Sequence, residues 1–185
     1  MVAYNLLIGE YYPIRAYMTS HTNTEVNREE NHELRFEYTQ ITPNIYIGTT
    51  MCCQAHFDAE LIKKGITVDI SLQGEDVDTP FGVEEFVWIP VKNNTPPTPD
   101  QITMGVSVIN NAIRLGKKIY VHCRFGHGRG PTMVAAYLVS LGKTAEDAVA
   151  FIASKRNAVH LTDSQMAALK QFEARIAREK TPSER

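Results

Sequence analysis

The sequence predicts an α/β fold: a short, mainly parallel central sheet flanked by helices on both sides. Three observations carry that expectation. Apolar runs of strand type alternate with helical patterns through the first part of the chain, and helices then run on alone to the end. Such alternation belongs to parallel strands joined by crossover helices. One apolar run also ends in a glycine-rich turn that leads straight into a buried helix, and the carboxyl end of a central strand is where folds of this class bind ligands.

The elements follow in order. Residues 1–35 carry Tyr4, Tyr11, Tyr12 and Tyr17, then a polar stretch, and read as an N-terminal arm ahead of a domain over 36–178 and a tail over 179–185. From Phe36 a small strand pair is expected, its second member ending at Gly48. Ala55 to Lys64 places Phe57, Leu61 and Ile62 on one helical face and stops at Gly65. Thr67–Leu72 and Glu85–Val91 read as strands, with a loop by composition between them. Thr98, Pro99 and Gln101 form a capping box with proline at the first helical position, opening a helix with Ile102, Val106, Ile109 and Ile113 inward that closes at Gly116. Met133–Val139 reads as a buried helix. Threonine caps at Thr144 and Thr162 start two more, over about 145–155 and 163–178.

Lys118 to His122 is the apolar strand, and Cys123 to Arg129 the glycine-rich turn. Backbone N–H groups in such a turn converge at a helix N-terminus, where unpaired donors and the helix dipole favour an anion. Cys123 sits at the base of that field, which lowers a thiol's pKa and makes a thiolate nucleophile available. Arg129 offers a planar fork of donors to phosphoryl oxygens. Gly126 and Gly128 let the backbone approach a ligand closely.

The run His122-Cys123-Arg124-Phe125-Gly126-His127-Gly128-Arg129, between an apolar strand and an apolar helix, resembles the signature loop of the cysteine-dependent protein tyrosine phosphatase superfamily, particularly its dual-specificity branch. Thr42–Gly48 resembles the opening strand of that family. Trp88–Val91 with Thr95-Pro96-Pro97 resembles the strand leading into its general-acid loop, and the element order fits from about Phe36 to Ile176. The resemblance implies hydrolysis of phosphomonoesters on phosphorylated proteins, phosphotyrosine ahead of phosphoserine or phosphothreonine, through a phosphocysteine intermediate and without metal or other cofactor. Cys123 is then the nucleophile, Arg129 the transition-state clamp, His122 a neighbour that tunes the thiol, and Arg124, Phe125, Gly126, His127, Gly128 and Gly130 the substrate-binding wall. Relatives acting on highly phosphorylated lipids carry basic residues where Arg124 and His127 stand, so a phosphoinositide is the alternative substrate.

Two positions depart from the family pattern. Gly130 stands where a serine or threonine hydroxyl usually eases sulfur's departure, so slow breakdown of the phosphoenzyme is expected. Thr132, in the first helical turn, reads as a local cap instead. Asn93 stands where the general-acid aspartate belongs. Asp100 is a weak replacement candidate, because a first-turn carboxylate complements the helix dipole, and Asp76, Asp78 and Asp163 are weaker still. Together the departures motivate a rival reading, a module that binds and sequesters a phosphorylated partner with little turnover. Sulfur transfer or arsenate reduction rests on fold analogy alone.

A net charge of −2 gives no general reason to expect nucleic acid or an anionic membrane as partner. Three cysteines, Cys52, Cys53 and Cys123, match neither a disulfide framework nor a zinc pattern and point to a reducing, cytoplasmic setting. No secretory leader or membrane-spanning run is expected. Cys52 or Cys53 as an oxidation partner for Cys123 is the less favoured alternative to a structural role.

Overall fold

The computed structural model describes residues 36–50 and 56–180. The tyrosine-bearing arm, Cys52, Cys53 and the last five residues lie outside the described residues. Among the described residues five strands, β1 (Tyr38–Gln40), β2 (Ile45–Thr49), β3 (Ile66–Gln73), β4 (Glu85–Val91) and β5 (Lys118–Cys123), make one sheet in the order β1-β2-β5-β3-β4. The β1–β2 pair is antiparallel; β2–β5, β5–β3 and β3–β4 are parallel. The helices are α1 (Ala59–Lys63), α2 (Pro99–Arg114), α3 (Arg129–Ser140), α4 (Ala145–Ala153) and α5 (Asp163–Lys180).

Strand alternation sends side chains to two cores. Ile45, Ile47, Val68, Ile70, Leu72, Ile119, Val121 and Cys123 face the larger one, shared with α2 to α5. Tyr46, Ile66 and Tyr120 face a smaller one closed by Phe57 and by Leu61 of α1. Helix α3 is buried from Arg129 to Val139, so it is wrapped on every side and needs no polar face. Its position directly after β5 puts the intervening loop at the carboxyl end of the central strand.

The expected strands and helices are present, with shifted ends. Helix α1 starts at Ala59, not Ala55, because the Asp58 side chain accepts from the N–H groups of Glu60 and Leu61 and fixes the first turn there. Phe57 therefore precedes the helix, though it is buried against it. Helix α3 starts at Arg129, four residues before Met133. Proline at 131 suits a first helical turn, where its missing N–H has no partner to lose. Helix α4 ends at Ala153, short of 155, and α5 runs on to Lys180, past 178.

Candidate active site

Cys123 ends β5 opposite Thr49 of β2 and is 3% exposed. The chain then bends through residues 124–128 before α3 begins. Two close approaches shape this loop. Gly126 has φ +67°, and a Cβ there would stand 2.6 Å from the Gly48 carbonyl oxygen, so the turn rests directly on β2. From outside, the buried Arg156 guanidinium donates to the carbonyls of Gly126 at 3.1 Å and Phe125 at 3.4 Å. It is itself paired with Glu37 at 2.5 Å and bonded to Thr39 at 3.3 Å. The other loop carbonyls are taken as well, that of Arg124 by the Thr50 N–H at 3.2 Å and that of His127 by the His160 N–H at 3.1 Å. Helix α3 has Gly128 at its N-cap and no side-chain cap bond, which leaves first-turn N–H groups for an anion.

Arg129 is 2% exposed and held in one pose. Its Nη1 donates to both Glu75 oxygens, at 3.0 and 2.8 Å, and to the Val91 carbonyl at 2.8 Å. All of its hydrogen bonds among the described residues use Nη1. Nε and Nη2, one edge of the fork, remain for two oxygens of a ligand.

His122 lies beneath the loop on the opposite face of β5 from Cys123. Its Nε2 is 3.2 Å from Asp69 Oδ1 and 3.4 Å from Asp78 Oδ2, with all three side chains buried. Asp78 also accepts from the Ser71 hydroxyl at 2.9 Å and the Thr50 hydroxyl at 3.3 Å. The Tyr120 ring stacks on His122, centroids 5.2 Å apart, and its hydroxyl donates to the Thr49 carbonyl at 2.6 Å. Burial, and after it the Asp69 carboxylate, push that hydroxyl well above the ordinary phenol value. Asp78, buried and held by these partners, is not free to act as the replacement acid.

Asn93 is half-buried and Asn94 exposed in the turn after β4; Asn94 has φ +58°. That turn is tied down by Gln165, whose Nε2 donates to the Thr95 carbonyl at 3.1 Å. Gln165 is also half of the predicted capping box, its Oε1 accepting from Thr162 N at 3.0 Å while its own N–H donates to Thr162 Oγ1 at 3.2 Å. Asp100 is exposed in the first turn of α2. Asp76 accepts from Gln73 Nε2 at 3.3 Å. Thr132 does not cap α3 as expected; its hydroxyl donates back to the Gly128 carbonyl at 2.8 Å, four residues earlier. That bond takes it away from the sulfur.

At the rim, Arg124 lies over the Phe125 ring at 5.6 Å, the rings of Phe125 and His127 are 6.0 Å apart, and His127 is 4.8 Å from His160. A separate groove of about 350 Å³ between the α2 N-terminus and α5, lined by Pro96, Pro97, Ile102, Phe172 and Arg175 among others, does not include the loop. Among the described residues no group of three or more His, Cys, Asp or Glu is placed to hold a metal ion, and no helix is long and apolar enough to cross a membrane.

The model of the dual specificity phosphatase, catalytic domain, matches residues 45–175. The chain belongs to this family. Among its relatives, the human phosphatidylglycerophosphatase and protein-tyrosine phosphatase 1 is 38% identical over 97 residues, covering 52% of this chain and 48% of that protein. The Arabidopsis thaliana phosphatidylglycerophosphate phosphatase PTPMT1 is 36% identical over 77 residues, 41% of this chain and 23% of that one. Against the human, rat and mouse relatives the chain matches about half of their length. The crystal structure of PTPMT1 superposes with a TM-score of 0.69 at 26% identity, covering 77% of this chain and 98% of that one. Human DUSP28 gives 0.68 at 18% identity, with 77% and 99% covered, and shares the fold.

Membership in the dual specificity phosphatase family agrees with the resemblance carried by the loop. It does not explain Glu75, Asp69, Arg156, Gln165 or His160, which were not expected at the site, nor the place of Asp78, expected there only as a weak replacement acid, beside His122. One signal was present: Val68-Asp69-Ile70-Ser71-Leu72-Gln73 alternates apolar and polar, the pattern of a strand with one wet face. Here both faces are covered, so the polar set is buried.

Proposed function

We propose that this chain is a phosphomonoester hydrolase that works through a phosphocysteine. The observation that supports it most is the uncapped N-terminus of α3 facing a loop whose base is Cys123 and whose far edge is the fixed Arg129. The phosphoryl group sits in that cradle, its oxygens on loop N–H groups and on Nε and Nη2 of Arg129. The Cys123 sulfur attacks phosphorus in line with the ester oxygen, the P–O bond breaks, and the leaving oxygen takes a proton from solvent water, since Asn93 has none to give. Water then attacks the phosphocysteine, releasing inorganic phosphate and the thiolate. Electrostatic stabilisation by arginine and oriented amides does the work in the transition state. Gly130, with the Thr132 hydroxyl committed to the Gly128 carbonyl, makes the second step the slow one.

Phosphoproteins are the first substrate class. The lipid reading has a specific basis: relatives at 35–38% identity are named as phosphatidylglycerophosphatases, a PTPMT1 structure at 25% identity holds PI(5)P, and Arg124, His127 and His160 gather at the rim. Pre-steady-state release of p-nitrophenol from p-nitrophenyl phosphate, with Cys123→Ser as control, tests the chemistry. A burst equal to the enzyme concentration is expected. Phosphate binding without Cys123-dependent release would favour the sequestering module. Phosphate release from phosphotyrosyl peptide and from phosphatidylglycerophosphate, measured side by side, then chooses the substrate class.

A further inference from the structure

The central strand β3 buries Asp69, Ser71 and Gln73 at alternate positions, each at most 1% exposed. A buried carboxylate is costly unless paired. Yet neither Asp69 oxygen is in hydrogen-bond alignment with any group among the described residues, and the same holds for both His122 nitrogens. What Asp69 has is the His122 ring at 3.2 Å. The same Nε2 faces Asp78, which is anchored separately by two hydroxyls. So one imidazole is held between two buried carboxylates, one residue before Cys123. Asp78 also ends the short segment that carries Glu75, the residue gripping Arg129. Mere packing gives no reason to spend two carboxylates here, since apolar residues of similar volume would close this layer at no loss.

We propose that Asp69 and Asp78 are positioning residues of the site. Together they fix the His122 ring, and with it the main chain that sets the Cys123 sulfur. Asp78 in addition ties down the β3–β4 turn so that Glu75 holds Arg129 in its ligand-ready pose. The proposal deepens the phosphatase reading and rests on it for the catalytic readout.

The test is a double-mutant cycle on the full chain. Asp69→Asn and Asp78→Asn are nearly isosteric, and each is made alone and in a His122→Asn background. Two rates are read: the p-nitrophenol burst, and alkylation of Cys123 by iodoacetamide followed by mass spectrometry of the Cys123 peptide. A misplaced reacting group costs roughly 10²-fold, so each single variant is expected to slow both rates about tenfold to a hundredfold, with KM changed less than about threefold. In the His122→Asn background Asp69→Asn should cost nothing further, because its effect passes through the ring. Asp78→Asn should retain a residual cost in the burst, through Glu75, but none in alkylation. If Asp78→Asn does not fold by circular dichroism, Ser71→Ala removes one of the two hydroxyls that anchor Asp78, together with a longer bond from the Gln73 N–H, and should slow the burst in the same direction. Equal Asp69→Asn losses in both backgrounds, or melting temperatures that fall while both rates stand, would overturn the proposal. Should the parent chain show no burst, the phosphatase reading fails by itself. The alkylation cycle, which needs no turnover, still decides this one.

Discussion

Replacing Gly130 with serine returns the hydroxyl that the family pattern places beside the sulfur. There is room for it: a Cβ at Gly130 would lie 3.6 Å from the Val121 carbonyl oxygen and 3.7 Å from His122 backbone atoms, ordinary contact distances. The backbone is helical there, at the second position of α3, so serine introduces no strain and gains a few tenths of a kcal/mol in helix propensity. A hydrogen bond to a charged group is worth about 1.5–3 kcal/mol. If the new hydroxyl makes that bond to the departing sulfur, and 1.36 kcal/mol is tenfold in rate, phosphocysteine hydrolysis should speed up by about ten- to a hundredfold. In a stopped-flow burst assay the fast phase should stay near its original rate while the slow phase rises toward it. Gly130→Ala, with a methyl group and no hydroxyl, is the control and should leave the slow phase where it was. A slow phase unchanged in Gly130→Ser, with the burst intact, would refute the argument that the missing hydroxyl limits turnover.

Asn93→Asp should raise the rate on alkyl phosphates by about 10²–10⁴-fold, the usual worth of a general acid, and change p-nitrophenyl phosphate little; similar gains on both would mean that the acid comes from elsewhere. Arg156→Met keeps the bulk but drops the bonds to Gly126, Phe125, Thr39 and Glu37. A loss of about 2–3 kcal/mol is expected, read as a melting temperature lower by roughly 4–10 °C, with a weaker burst. Gly126→Ala forces a Cβ to 2.6 Å from the Gly48 carbonyl oxygen at a φ of +67°. Orthovanadate binding, measured by calorimetry, should fall at least about tenfold if the loop must move.

The elements of this fold were legible because local signals agreed with the tertiary ones. The capping boxes at Thr98 and Thr162 and the apolar strands are cases where residues within one turn of each other set the outcome. The signature loop was legible for the same reason: its chemistry is contiguous. Errors fell where a distant partner decided. The apolar run marks α3 only from Met133, and its start at Arg129 shows only in the fold, where the helix is buried from that residue on. Glu75 is 54 residues from Arg129, and Glu37 is 119 from Arg156. No period or spacing joins such pairs, so half of the candidate site was out of reach of a linear reading.

The Arg156 bridge also bears on where a working fragment can be cut. The matched family region opens at Ile45, but Arg156 spends two of its bonds on Glu37 and Thr39, upstream of that point. A fragment trimmed to the family boundary would keep Cys123, the loop and Arg129, and would lose β1 together with the carboxylate that neutralises the loop's outer brace. The smallest unit able to hold the loop in shape therefore begins before the family does, at Phe36 or earlier.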